Sequence, residues 1–140
     1  MISGKFAITL HILTLMSRHP EDFLSSDFLA GCMNINPVLI RKEIGNLKKH
    51  NIVESREGKF GGARLARPAD EITLEDVYNT TFECMSLGFS RNEPNGKCPV
   101  GKNIKDSLDN LYRNINHCIC TELKGVTLQE FSSQFATETV

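Results

Sequence analysis

Two sets of side chains in this sequence could do chemistry, a cluster of cations and a scatter of thiols. The cations lie between Asn36 and Pro68, where Arg41, Lys42, Lys48 and Lys49 share a helical spacing and Lys59 and Arg64 follow around a glycine-rich turn. Guanidinium and ammonium groups on one face hold phosphates by charge, and an arginine near a helix start can also fork onto a guanine edge. That is the chemistry of recognition rather than of bond breaking. The thiols are five in 140 residues: Cys32, Cys84, Cys98, Cys118 and Cys120. An odd number, without the density of a disulfide scaffold, implies free thiols in a reducing compartment. Catalytic signatures are lacking: there is no phosphate-cradling glycine motif ahead of a helix and no His-Glu-x-x-His, and His50 and His117 read at helix ends without carboxylates at useful spacing. No catalytic residue is assigned, and the chain is not expected to be an enzyme.

These groups need elements to carry them. A first helix is predicted over Ser3–Arg18, with Phe6, Leu10, Leu13 and Ser17 on one stripe, Ile8, Ile12, Leu15 and Met16 beside it, and Pro20 beyond its end. His11 within it is read as a packed or hydrogen-bonded core histidine, because no second metal-ligand type stands at helical spacing from it. Ser25 or Ser26 can cap a short helix across Asp27–Met33, and Asn36 can cap a third with Pro37 at its first position. Two helices joined by Asn34-Ile35-Asn36-Pro37 have the form of a helix-turn-helix. In the third helix Leu39, Ile40, Ile44 and Leu47 make the buried stripe, which leaves Val38, Arg41, Lys42, Gly45, Lys48 and Lys49 toward solvent.

Past His50-Asn51 the period shortens from helical to two. Strands are predicted at Ile52–Arg56 and Ala63–Ala66, around a loop Glu57–Gly62 whose glycines let its backbone approach another surface. A fourth helix starts in the segment Glu71–Tyr78, with Thr73 as N-cap and acids in the first turn, where the helix dipole favours them. Ser86–Gly101 reads as a long loop of the kind that is functional or disordered. A long helix follows over Val100–Leu123, and its Ile104, Leu108, Leu111, Ile115 and Cys118 form a heptad seam. The simplest partner for so narrow a stripe is a second copy of the chain, the alternative being that it packs on the winged part. A last helix over Thr127–Phe135 is placed across one end of the seam.

The fold class expected is mainly α with a small β-wing. Residues 1–82 are read as a winged helix-turn-helix DNA-binding domain, and residues 83–140 as a loop and dimerisation-helix region integrated with it. The net charge of −1 conceals a segregation: residues 1–68 carry 10 Lys/Arg and 6 Asp/Glu, whereas residues 69–140 carry 6 and 11. One basic face for a polyanion and another face for a different task is the distribution such a protein needs. No apolar run approaches bilayer length and no signal-peptide pattern opens the chain, so the expected location is the cytoplasm, with no membrane partner.

Recognition helices reach bases through residues near their N-termini, which makes Asn36, Val38, Arg41 and Lys42 the groove candidates. Arg41 suits a guanine and Val38 an apolar contact such as a thymine methyl. Lys48 and Lys49 suit phosphates, and Lys59 and Arg64 of the wing suit the minor groove or its flanking phosphates. Two copies on a twofold axis would read an inverted repeat in double-stranded DNA.

The segments Phe6-Ala7-Ile8, Asn36 to Lys42, Gly58 to Pro68 and Glu71 to Val77 together resemble the Rrf2 family of bacterial winged-helix regulators, and the resemblance runs over nearly the whole chain. It implies a dimeric DNA-binding transcription regulator, with the long C-terminal helix crossing its mate. Several members hold an iron-sulfur cluster on three closely spaced cysteines before that helix. Here the stretch SLGFSRNEPNGKCPVG contains only Cys98, with Cys84 lying 14 positions earlier, so no cofactor is expected.

Cys98 stands beside Lys97 just ahead of a helix N-terminus, a setting that lowers a thiol pKa, and Cys32 ends the helix before the recognition helix. A disulfide between these two, within one chain or across a dimer, would tie DNA affinity to oxidation. The opposing reading makes Cys32 a buried small hydrophobe and Cys98 an inert loop residue. The expected function is a homodimeric repressor, with alternatives in an iron-sulfur or small-molecule-responsive regulator and in a winged-helix module for protein contacts. The sequence shows no small-molecule effector.

Overall fold

In the computed structural model, residues 4–81 and 86–135 are described. Helix α1 (Lys5–Arg18) buries Thr9, Ile12, Leu13 and Met16, a stripe at three- and four-residue steps, against everything that follows. His11 is exposed, which corrects the core assignment: two positions on from Thr9, it lies roughly 200° around the helix, on the solvent side. Helix α2 (Ser26–Met33) is capped by Ser25, whose hydroxyl accepts from the Phe28 N–H at 3.0 Å. It ends on Asn34, in the left-handed region at φ 54. Helix α3 (Pro37–Lys49) starts from Asn36, whose side-chain oxygen accepts from the Val38 N–H at 2.8 Å. Both caps satisfy N–H groups that have no intrahelical partner.

Strands β1 (Val53–Arg56) and β2 (Gly62–Leu65) pair antiparallel, with Val53 opposite Leu65 and Arg56 opposite Gly62. Leu24 adds a bridge to this ribbon by exchanging backbone hydrogen bonds with Ala63 at 2.8 and 2.9 Å. That third contact fixes the wing to the entry of α2. A Cβ on Gly62 would come within 2.3 Å of the Leu24 carbonyl oxygen, so glycine is needed for the approach.

After a 3-10 turn at Ala69–Glu71, helix α4 (Leu74–Asn79) opens with a capping box between Thr73 and Asp76. Helix α5 (Pro99–Lys124) begins one residue before the predicted start because Pro99 is suited to a first helical position. It runs about 39 Å at 1.5 Å per residue, yet buries only Tyr112. The chain then returns: Leu74 donates to the Val126 carbonyl at 2.9 Å and Leu128 to the Ile72 carbonyl at 2.8 Å. Helix α6 (Leu128–Ser132) packs on α1 and the 3-10 turn, and the Arg18 guanidinium reaches the Phe135 carbonyl beyond it. The last helix was expected over the seam of α5. Instead Leu128, with no exposed surface, completes the winged-helix core with Ile12, Leu13, Met16, Leu29, Ile40, Leu47, Ile72 and Val77. The predicted division between residues 82 and 83 falls outside the described residues.

Candidate nucleic-acid interface

Burial of Ile40 and Leu47 sets the rotation of α3 and therefore which side chains point outward. Val38 is 66% exposed, and Arg41, Lys42, Lys48 and Lys49 are exposed with it on the outer surface. Leu39 and Ile44, placed in the buried stripe by periodicity, are only half-buried. The inner face instead carries Glu43, 4% exposed, with one carboxylate oxygen lacking a partner. No rule of hydrophobic period finds a buried acid, so sequence reasoning missed it.

The first turn of α3 is partly engaged with the molecule itself. The Asn36 oxygen is occupied by its cap, which leaves the amide NH₂ as its outward group. Arg41 donates through Nε to Ser26 Oγ at 3.1 Å, and its NH2 nitrogen lies 3.7 Å from Asp27 Oδ1. With both members of that ion pair more than half exposed, it contributes little stability and releases the guanidinium readily. Among the described residues, Lys42, Lys48 and Lys49 have no such ion pair.

In the wing the structure separates the two predicted cations. Lys59 is at the tip, exposed, with its ammonium 5.7 Å from the ring centre of Phe60, itself 79% exposed. Arg64 is at the base, donating to Glu54 Oε1 at 2.7 Å and stacked 4.3 Å from the centre of the Phe23 ring. Arg56 takes the other contact to Phe23 at 4.4 Å and donates to the Phe60 carbonyl at 3.2 Å. Phe23 thus carries two guanidinium groups, each held by a cation–π contact. Arg56 is exposed and was not among the sequence candidates; its place at the end of a strand entering the turn was the available signal. The turn tolerates no side chain at Gly61, where a Cβ would meet the Arg56 carbonyl oxygen at 2.1 Å.

The heptad seam of α5 is uneven in a single chain. Leu111 is 50% exposed and Cys118 is exposed, while Ile104, Leu108 and Ile115 are half-buried. A neighbouring stripe of the same helix makes the intramolecular contacts. The Tyr78 hydroxyl donates to Asn116 Oδ1 at 2.5 Å, the Tyr112 hydroxyl donates to the Gly88 carbonyl at 2.6 Å, and the Phe89 ring meets Tyr112 edge-on. Glu93 lies 3.6 Å from Lys105, and a Cβ on Gly101 would lie 2.6 Å from the Asn95 carbonyl oxygen. The loop therefore lies back along the first turns of α5.

Cys98 is the N-cap residue of α5 and exposed. Its sulfur makes no formal cap, but the free N–H groups of Gly101 first and Val100 second hold the thiol below its ordinary value. Cys32 is exposed on α2, which removes the reading of it as a buried hydrophobe; Cys118 is exposed and Cys120 half-buried. Cys84 lies outside the described residues. Among the described residues no three His, Cys, Asp or Glu side chains gather as metal ligands, and Cys98 is the one cysteine of the stretch 86–101. Among the described residues the thiols brought together fall short of the three or four thiolates an iron-sulfur group takes. Among the described residues no helix is long and apolar enough to cross a membrane.

Residues 2–134 match the Rrf2 family, described as an iron-dependent transcriptional regulator. The HTH-type transcriptional regulator YwnA of Bacillus subtilis, as its name gives it, is 36% identical over 130 residues, covering 93% of this chain and 96% of that protein. A transcriptional regulator from Lactobacillus plantarum superposes with a TM-score of 0.77 at 20% identity, over 98% of this chain and 93% of that one. CymR, the global cysteine regulator of Bacillus subtilis, does so with a TM-score of 0.69 at 22% identity, over 96% and 97% of the two chains. The last two likenesses are of fold.

Proposed function

Because the chain belongs to the Rrf2 family of DNA-binding transcription regulators, and not to a family of enzymes, we propose that it is a homodimeric repressor reading an inverted repeat. One observation carries this reading: the outer face of α3 holds Val38, Arg41 and Lys42 at its start and Lys48 and Lys49 at its end, beside a wing tipped by Lys59. The start of the helix is where bases are read and the end is where phosphates are held. Asn36 contributes its free amide, while Arg64 steadies the wing base through Glu54 and Phe23. Pairing through Ile104, Leu108, Leu111, Ile115 and Cys118 would cover the exposed Leu111 and set two α3 helices on one duplex. The site of action is the cytoplasm, where duplex DNA and reducing conditions coincide.

The regulation proposed is thiol oxidation without a metal cofactor. Exposed Cys32, at the end of α2, and exposed Cys98, with its lowered pKa, would give up two protons and two electrons to a peroxide-class oxidant and join as a disulfide. That bond would pull on α2 and hence on α3, which packs against it. Selection of bound sequences from random duplex, with reduced and with oxidised protein, tests the whole reading. A twofold-symmetric motif that reduced protein enriches and oxidised protein loses is expected. Enrichment of nothing above background by reduced protein would leave a winged-helix module for protein contacts. An unchanged motif after oxidation would remove the thiol switch alone.

A further inference from the structure

A cleft of about 480 Å³ lies between α3 and the wing. Arg41 and Lys48 on one wall, Arg56 and Glu57 on the other, leave a cationic surplus, and Ser26 and Ser55 add hydroxyl groups. Gly45 forms part of the α3 wall. A glycine inside a helix is less favourable than alanine because its backbone loses more freedom on folding. At Gly61, Gly62 and Gly101 a Cβ would strike a carbonyl oxygen, whereas Gly31 of α2 and Gly45 of α3 both face open space, and of these two only Gly45 lines the cleft. Gly45 sits mid-helix, and a Cβ there would meet nothing within 4 Å. Its backbone is left bare toward open space, on the wall of a cationic cleft.

We propose that this cleft takes one phosphodiester strand of duplex DNA and that Gly45 is bare so that the strand can come against the backbone of α3. The inference rests on the DNA-binding reading and adds to it a residue with no charge and no donor side chain. Lys48 supplies the ammonium on the same helix wall, just under one turn from Gly45, and Arg56 supplies the guanidinium held in place by Phe23 and the Phe60 carbonyl. Glu57 opposes the strand and limits affinity for polyanions in general.

The test is Gly45→Ala and Gly45→Val in the full chain, with thermal unfolding and with duplex binding to a selected operator and to an unrelated sequence. Alanine should raise Tm by about 3 °C, from helix propensity. It should weaken duplex binding by about tenfold, by a similar factor for both sequences, since a phosphate contact carries no sequence information. Valine should weaken binding further. Lys48→Gln should lower the salt slope by about one. A Gly45→Ala protein that binds as tightly as the parent overturns the inference. So does a loss confined to the operator, which would mean a base edge rather than a strand at Gly45, and so does a fall in Tm, which would mean an internal reason for the glycine. If the parent protein itself binds no duplex, the DNA-binding reading fails instead.

Discussion

The α3–wing unit and helix α5 differ in how much of their own environment each chain supplies. On α3, Ile40 and Leu47 are fully buried, both ends are satisfied locally, and the wing is clamped by the Leu24–Ala63 bridge. The reading surface is thus held rigidly by its own chain. Helix α5 is twice as long, at 26 residues against 13, and buries one. Its packed stripe through Tyr112 and Asn116 runs beside a second stripe where Leu111 stays half exposed. The outward face of α3 is thus held complete within one chain, whereas α5 leaves half of Leu111 uncovered. Its second stripe is where a mate would lie.

The largest expected effect breaks the comparison on that second stripe. Leu111→Asp should leave the single chain folded, because half the side chain is in solvent already, but should shift sedimentation from dimer to monomer. Losing the linked second half-site should weaken binding to an inverted repeat about a hundredfold or more. A variant that stays dimeric and binds normally would place the interface elsewhere.

Next in size is Leu128→Ala, which asks whether the C-terminal segment belongs to the reading half. Leu128 has no exposed surface, so its truncation should cost about 2–5 kcal/mol in denaturant unfolding monitored by circular dichroism. The partly exposed Leu111, cut to alanine, should cost well under that in a monomeric background. Equal costs at the two positions would show that α6 is not part of the winged-helix core.

This second contrast marks the limit of what could be read from the sequence. The helix-turn-helix, its caps at Ser25 or Ser26 and at Asn36, the Thr73 cap of α4 and the glycine-tipped wing were legible, because caps and turns are local chemistry. The outward set of α3 followed from its period, yet Glu43 went unseen because only tertiary packing buries an acid. The placement of α6 was misread because Leu128, Phe131 and Phe135 say that a helix has an apolar side without naming what covers it. His11 failed for a related reason: an apolar neighbourhood in sequence is not a buried face. Arg56 and Arg64 also exchanged prominence once Phe23, far off in sequence, was seen beneath both.

A smaller effect sharpens the reading half alone. Arg41 is tied to Ser26 and Asp27, so two substitutions should act in opposite senses on duplex binding. Arg41→Ala should weaken operator binding by about 1–3 kcal/mol and relax one position of the site. Asp27→Asn, by freeing the guanidinium and removing a negative charge, should tighten binding to unrelated duplex by about threefold, since the exposed pair it removes contributes at most about 1 kcal/mol. Titration of both duplexes by fluorescence anisotropy separates the two, and an Asp27→Asn protein that binds unrelated duplex no better would mean the tether does not restrain Arg41.

The smallest effect concerns Cys98, exposed at the start of α5. At Cys98 the N–H groups of Gly101 and Val100 favour the charged form, so its thiolate is the majority species above a pKa that lies below the ordinary thiol value. Lowering a pKa moves the rise of thiolate to lower pH. In a series of alkylation rates with iodoacetamide across pH, Cys98 should therefore rise early as pH increases. Peptide-resolved mass spectrometry should find its labelling rise at lower pH than that of free cysteine under the same conditions, with the early phase absent in Cys98→Ser. A Cys98 curve coincident with that of free cysteine would mean that the start of α5 does not activate this thiol.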